Sequence, residues 1–188
     1  MRFDPSKLKP GSILHVTYLH HGVKDRRWWR GGGPLIQYWL GDGCHDGIVI
    51  QTPLGLVVGD MVPPRGKLTP LSEYERKADA GDIMVDVLWP VGATDREGLL
   101  AGNWWRTHQV GKLYNFAAYI LLPIKIISDQ IEWPWDLKWD WCTEGVMWAW
   151  KLGAGRDVYE NCKPTPYTTE KRWREGKLER VNDSVELI

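Results

Sequence analysis

The sequence has no excess of charge of either sign: Lys and Arg total 24, Asp and Glu total 24, and the formal net charge is zero. No long-range field therefore draws it to a polyanion, and neither nucleic acid nor an anionic membrane surface is an expected partner. A long apolar run is missing as well. The most apolar stretch, YNFAAYILLPIKII at 114–127, falls short of the roughly 20 residues that cross a bilayer, and it contains Pro123 and Lys125, so it reads as a core helix rather than a transmembrane segment. Cysteine is scarce. Cys44, Cys142 and Cys162 are odd in number and lack framework spacing, which argues against a disulfide scaffold and leaves at least one thiol free. Cys44, His45, Cys142 and Cys162 are soft ligands that zinc accepts, but no Cys-x-x-Cys or His-x-x-x-His pair supplies close spacing, so neither a metal nor another cofactor is expected. Gly31-Gly32-Gly33 has no Lys-Ser or Lys-Thr after it and is not a phosphate loop. The opening MRFDPSKLKPGSIL has none of the parts of a secretory signal, so the chain is expected to be cytoplasmic on synthesis.

What is present is an ordinary globular balance, 43% hydrophobic and 26% charged, with an unusual 13 tryptophans. Trp28, Trp29, Trp104, Trp105, Trp133, Trp135 and Trp139 stand in polar surroundings. There they could line a groove for a sugar, a peptide or a partner, or cover a small core from outside. With no internal repeat and no dividing linker, residues 1–188 form one expected domain, carrying a Trp- and Gly-rich loop at about 22–33. Residues 11–20 read as a strand. Residues 45–62 form a hairpin about Thr52-Pro53-Leu54-Gly55, and 81–90 a strand ended by Pro90. GKLYNFAAYILL reads as a helix broken near Pro123. From Trp141 to Leu152 the pattern is helical, with Cys142, Val146 and Ala149 on one face, Asp140 as N-cap and Gly153 as stop. The tail, 165–181, reads as a turn and a last strand. The class is α+β.

A cysteine in the first turn of a helix meets unpaired backbone amides and the positive end of the dipole, which favour a thiolate and can also receive an oxyanion. Taken alone, such a cysteine is more often a small core residue. Chemistry there needs a base. Of the five histidines, His45 begins a core strand. If Pro53-Leu54 is a two-residue loop, Thr52 faces Gly55 and Asp60 becomes the diagonal neighbour of His45 on one face of the hairpin. Cys142, His45 and Asp60 would then supply nucleophile, base and orienting acid. Tyr114 could assist at an oxyanion or simply begin a core helix face, and Glu144 reads as a complement to the helix N-terminus or a surface pair.

The order HDGIVI, a following strand ending in Asp60, PLSEYERK, GKLYNFAAYILL and WCTEGV resembles the circularly permuted papain-fold hydrolases of the YiiX and YebB type, relatives of the NlpC peptidases. The opening Pro10-Gly11-Ser12-Ile13-Leu14 and the later TPYTTEK extend the resemblance from about Gly11 to Arg180. Cys44 stands where the family pattern has serine, and Asp46 and Gly145 stand where it has apolar residues. The resemblance implies a papain-like antiparallel sheet packed against the nucleophile helix and a second core helix. It also implies Cys142 as nucleophile, His45 as base and Asp60 as acid, acting through an acyl-cysteine intermediate. Amide cleavage in a peptide or glycopeptide, including peptidoglycan peptides reached by lysis, injection or a carrier such as a phage particle, is the leading expectation. The alternatives are a cysteine-dependent acyltransferase or thioesterase acting on acyl or lipid substrates, and a non-enzymatic Trp-rich binding module.

Overall fold

The computed structural model describes residues 5–18, 45–114, 142–160, 162 and 164–181. The expected loop at 22–33, the helix beyond Tyr114, and Asp140 as N-cap lie outside them. Six strands form one antiparallel sheet: β1 (Ile13–Tyr18), β2 (His45–Thr52), β3 (Gly55–Val62), β4 (Arg65–Pro70), β5 (Ile83–Pro90) and β6 (Leu178–Arg180), in the order β4-β3-β2-β1-β5-β6. Four helices accompany it among the described residues: α1 (Leu71–Asp79), α2 (Asp95–Gln109), α3 (Cys142–Trp148) and α4 (Pro166–Arg174). A π-helical turn, Ala149–Gly153, continues α3.

The sheet is apolar on both faces because helices cover both. On one face Ile13, Ile48, Ile50, Met61 and Leu88 pack with Trp105 of α2, Val146 of α3, and Ala149 and Trp150 of the π turn. On the other, Leu14, Val16, Val49, Val58, Val85 and Val87 pack with Tyr74 and Ala78 of α1. This two-sided burial explains why GIVI in β2 is an unbroken apolar run rather than an alternating one.

The β2–β3 hairpin closes through the two-residue loop Pro53-Leu54, with Thr52 paired to Gly55. Pro-Leu is an unfavourable pair for such a loop. Here the Thr52 hydroxyl spans it, donating to the Gly55 carbonyl at 2.8 Å and accepting from the Leu54 amide at 3.2 Å, while Gly55 takes φ +114°. That register decides which side chains meet His45.

Helix α2, with its small residues and paired tryptophans, does not stand out in the sequence. Thr94 caps it and Glu97 completes a reciprocal capping box, so both ends of that box satisfy amides the helix leaves unpaired. Gly98 lets α2 touch the chain before β1, since a Cβ there would lie 2.3 Å from the Pro10 carbonyl oxygen. His108 lies in the last turn of α2, where it stacks on Trp104. The tail is also corrected: most of 165–181 is helix α4, entered through Thr165 with Pro166 in its first turn, and only Leu178–Arg180 is strand. A proline in the first turn gives up an amide that has no helical partner, so the helix loses nothing there.

Candidate active site

His45 is the first residue of β2, and the pairing of Gly47 with Asp60 places Asp60 diagonally across from it on the same face. Gly47 keeps room for the carboxylate, since a Cβ on it would approach Asp60 Oδ1 to 3.1 Å and Val58 Cγ1 to 2.7 Å. His45 Nε2 donates to Asp60 Oδ1 at 3.0 Å, and the Tyr74 hydroxyl of α1 donates to the same oxygen at 2.6 Å. Burial pushes the Asp60 carboxyl up, but the hydrogen bond and charge of His45, with the Tyr74 hydroxyl, outweigh it and hold the group below the usual carboxylate range. It is an anion.

Cys142, which opens α3 and is only 6% exposed, lies close enough to His45 to act on its ring. Burial works against a charged imidazole, yet the hydrogen bond with Asp60, the nearby Cys142 and the charge of Asp60 push the His45 pKa up to about 10. The imidazole is thus held as a cation between a fixed carboxylate and a thiol. Chemically, a charged imidazole here can deliver a proton to a neighbouring leaving atom.

Directly behind this row lies a second polar group that sequence reading passed over. Asp46, next to His45, is fully buried and faces the helix layer. Its Oδ1 accepts from His15 Nδ1 at 2.7 Å. Its Oδ2 accepts from the hydroxyls of Thr143 and Thr169, each at 2.7 Å. Because the single proton of Thr169 goes to Asp46, its oxygen receives the Tyr159 hydroxyl, 3.0 Å away. Burial first, and then Asp46 nearby, push the Tyr159 phenol up, so it stays a neutral donor. His15 is raised: burial lowers it, but the charge and hydrogen bond of Asp46 prevail.

Of the sequence candidates, the fold joins His45 to Asp60 with Cys142 close to the ring, and Tyr114 belongs to the same apolar cluster as Cys142 and Met61. Tyr114 is the last residue described before the expected helix, which lies outside the described residues. It follows a bridge between Leu113 and Arg65, and its amide donates to the Pro64 carbonyl at 2.9 Å. Glu144 is buried rather than a surface residue, and Trp105, expected in polar surroundings, is wholly enclosed. Trp104 is half-buried; the other tryptophans proposed for a groove lie outside the described residues. Gly145 sits in a tight place, its Cβ position lying 3.0 Å from both Met61 Cγ and Trp105 Nε1. Cys142 and Cys162 are free thiols. Tyr74 escaped the sequence reading because only the fold sets α1 beside β3. Asp46 carried a signal, an acid inside an apolar strand run, that pointed to a buried partner.

Among the described residues, no three His, Cys, Asp or Glu side chains converge in a way that would hold a metal ion. His15 and Asp46 are only two such groups, and the second Asp46 oxygen is already taken by two hydroxyls. No helix of the described residues is long and apolar enough to cross a membrane.

The described architecture is that of an α+β protein whose antiparallel sheet is covered on both faces and whose polar row sits where β2 and α3 begin. No protein-family model matches the chain, and no curated protein matches it. A solved structure does: one described as metalloprotein yiiX from Escherichia coli O157:H7, with a TM-score of 0.57 and 15% identity, over 95% of this chain and 98% of that one. The fold is therefore YiiX-like. At that identity the likeness speaks for the fold alone.

Proposed function

We propose that this protein is a cysteine hydrolase with a permuted papain-like arrangement, in which Cys142 is the nucleophile, His45 the acid and base, and Asp60 the orienting group. The observation that carries the reading is the imidazole of His45, hydrogen-bonded to a buried carboxylate and set beside the Cys142 thiol at the start of a helix. The Cys142 sulfur attacks the carbonyl carbon of an amide. The carbon–nitrogen bond then breaks as the His45 imidazolium gives its proton to the leaving nitrogen, and an acyl-cysteine remains. Water attacks that thioester next, passing a proton to the now neutral imidazole, and the thiolate departs. Asp60 holds the ring in the orientation both proton transfers need, and Tyr74 holds Asp60. The chain order, histidine before cysteine, agrees with the permuted family whose motifs the sequence resembles.

The substrate class favoured by this reading is a peptide or glycopeptide amide, with cell-wall peptides first to be tried. Iodoacetamide at neutral pH should place one rapid adduct on the protein, lost in Cys142→Ala and slowed in His45→Gln. Incubation with a peptidoglycan digest and a panel of acyl thioesters, read by intact mass, should trap an acyl group on Cys142. Uniformly sluggish thiols and no adduct would sink the proposal.

A further inference from the structure

Two bonds of the same length reach the same oxygen of Asp46, and they differ in what they hold. Thr143 Oγ1 and Thr169 Oγ1 both donate to Asp46 Oδ2 at 2.7 Å. Thr169 belongs to α4, far along the chain from the reacting groups. Thr143 directly follows Cys142, and Asp46 directly follows His45. The bond between them therefore joins the residue after the nucleophile to the residue after the base, across the contact of α3 with β2.

All the groups involved are buried. His15, Asp46, Thr143 and Thr169 are each at most 2% exposed, so water does not compete for their hydrogen bonds. Asp46 is held from the sheet side by His15 Nδ1 at 2.7 Å, so its Oδ1 is committed while Oδ2 meets the two hydroxyls. With its proton committed to Asp46, the Thr143 hydroxyl turns its oxygen toward the Cys142 sulfur, 3.9 Å away.

We propose that Asp46 and Thr143, braced by His15, are positioning residues that set the distance between the Cys142 sulfur and the His45 imidazole. The inference rests on the hydrolase reading for its catalytic meaning, although the geometric coupling can be measured without any activity. Misplacing a nucleophile by about 1 Å costs on the order of a hundredfold in rate, so a clamp one residue away from both partners has a large lever. The Thr169 bond, equal in length and acceptor, serves only to dock α4.

Paired variants test this. Thr143→Val and Thr169→Val each remove one hydroxyl from the same carboxylate oxygen while keeping side-chain shape, and Thr143→Ser restores the hydroxyl. Two readouts are taken on folded protein, checked by near-ultraviolet circular dichroism: the iodoacetamide rate at Cys142 across pH, and the titration midpoint of the His45 ring by nuclear magnetic resonance. Thr143→Val should slow alkylation at neutral pH by about ten- to a hundredfold and lower the His45 midpoint. Thr143→Ser should recover both, and Thr169→Val should leave both as in the wild type while lowering thermal stability to a similar degree.

Equal effects of the two valine variants, or an unchanged His45 midpoint in Thr143→Val, overturn the positioning role. Should Thr143→Val fail to fold, Thr143→Ala is read by the same criteria. If wild-type Cys142 is inert but Thr143→Val still shifts the His45 midpoint and Thr169→Val does not, the hydrolase reading fails and the clamp stands.

Discussion

Replacing Asp60 with asparagine keeps the size and one accepting oxygen of the side chain while removing its charge, which isolates the anion's effect on His45. In the wild type the imidazole pKa is raised from an ordinary 6.5 to about 10, against the opposing effect of burial. Nε2 lies 3.0 Å from Oδ1, so the centres of charge are about 4 Å apart, and at an effective dielectric of about 20 their attraction is worth about 4 kcal/mol. One pKa unit corresponds to about 1.4 kcal/mol, so this pair sets a ceiling of about 3 units. The charge of Asp60 is the smallest of the influences that raise the ring, behind its hydrogen bond, which survives at the amide oxygen, and behind Cys142, so the expected fall is about 1 unit, to a midpoint near 9. The assay is a titration of isotope-labelled histidine from about pH 5 to 11 by nuclear magnetic resonance, with the His45 signal assigned by its loss in His45→Gln. A variant midpoint within about half a unit of the wild type, or a wild-type midpoint near 6.5, would refute the reasoning, because the carboxylate would not be what keeps the ring protonated.

Two further outcomes follow from the same geometry. The folded-state pKa of His45 lies above its ordinary value, so the stability supplied by the cation is complete below pH 6.5 and is lost as pH rises through about 10. Urea midpoints should fall across that window more steeply for wild type than for His45→Gln, and parallel profiles would count against a buried cation. Gly98→Ala should cost about 1 to 3 kcal/mol, because the new Cβ would meet the Pro10 carbonyl oxygen at 2.3 Å and Trp89 Cη2 at 2.5 Å, neither of which can move freely. Calorimetry should show its melting temperature lowered by several degrees, and an unchanged value would mean that α2 does not press on this segment.

Much of the central sheet is legible from local pattern. The strands around His15, Ile48, Val58 and Val87 announce themselves by β-branched composition and by the glycines and prolines that bound them, as does the hairpin around Pro53-Leu54. The register of that hairpin follows from loop length alone, and with it the side-by-side placement of His45 and Asp60. Helices α2 and α4 were harder. Their small and polar residues give a weak period, and what stabilises them is an N-terminal cap and close contact with a particular surface, Gly98 against Pro10 in one case and Thr169 against Asp46 in the other.

By itself, the amino-acid order pointed to an α+β class, to at least one free thiol, and to Cys142, His45 and Asp60 as one candidate group. Tertiary structure alone decided that Tyr74 closes on Asp60, that Asp46 is a buried anchor rather than a stray acid, and that Thr143 ties the start of α3 to the start of β2. The physical reason is distance along the chain. Strand alternation and helix period act over a few residues, whereas the bond from Thr143 to Asp46 joins groups 97 positions apart, and only a packed core brings them within hydrogen-bond reach.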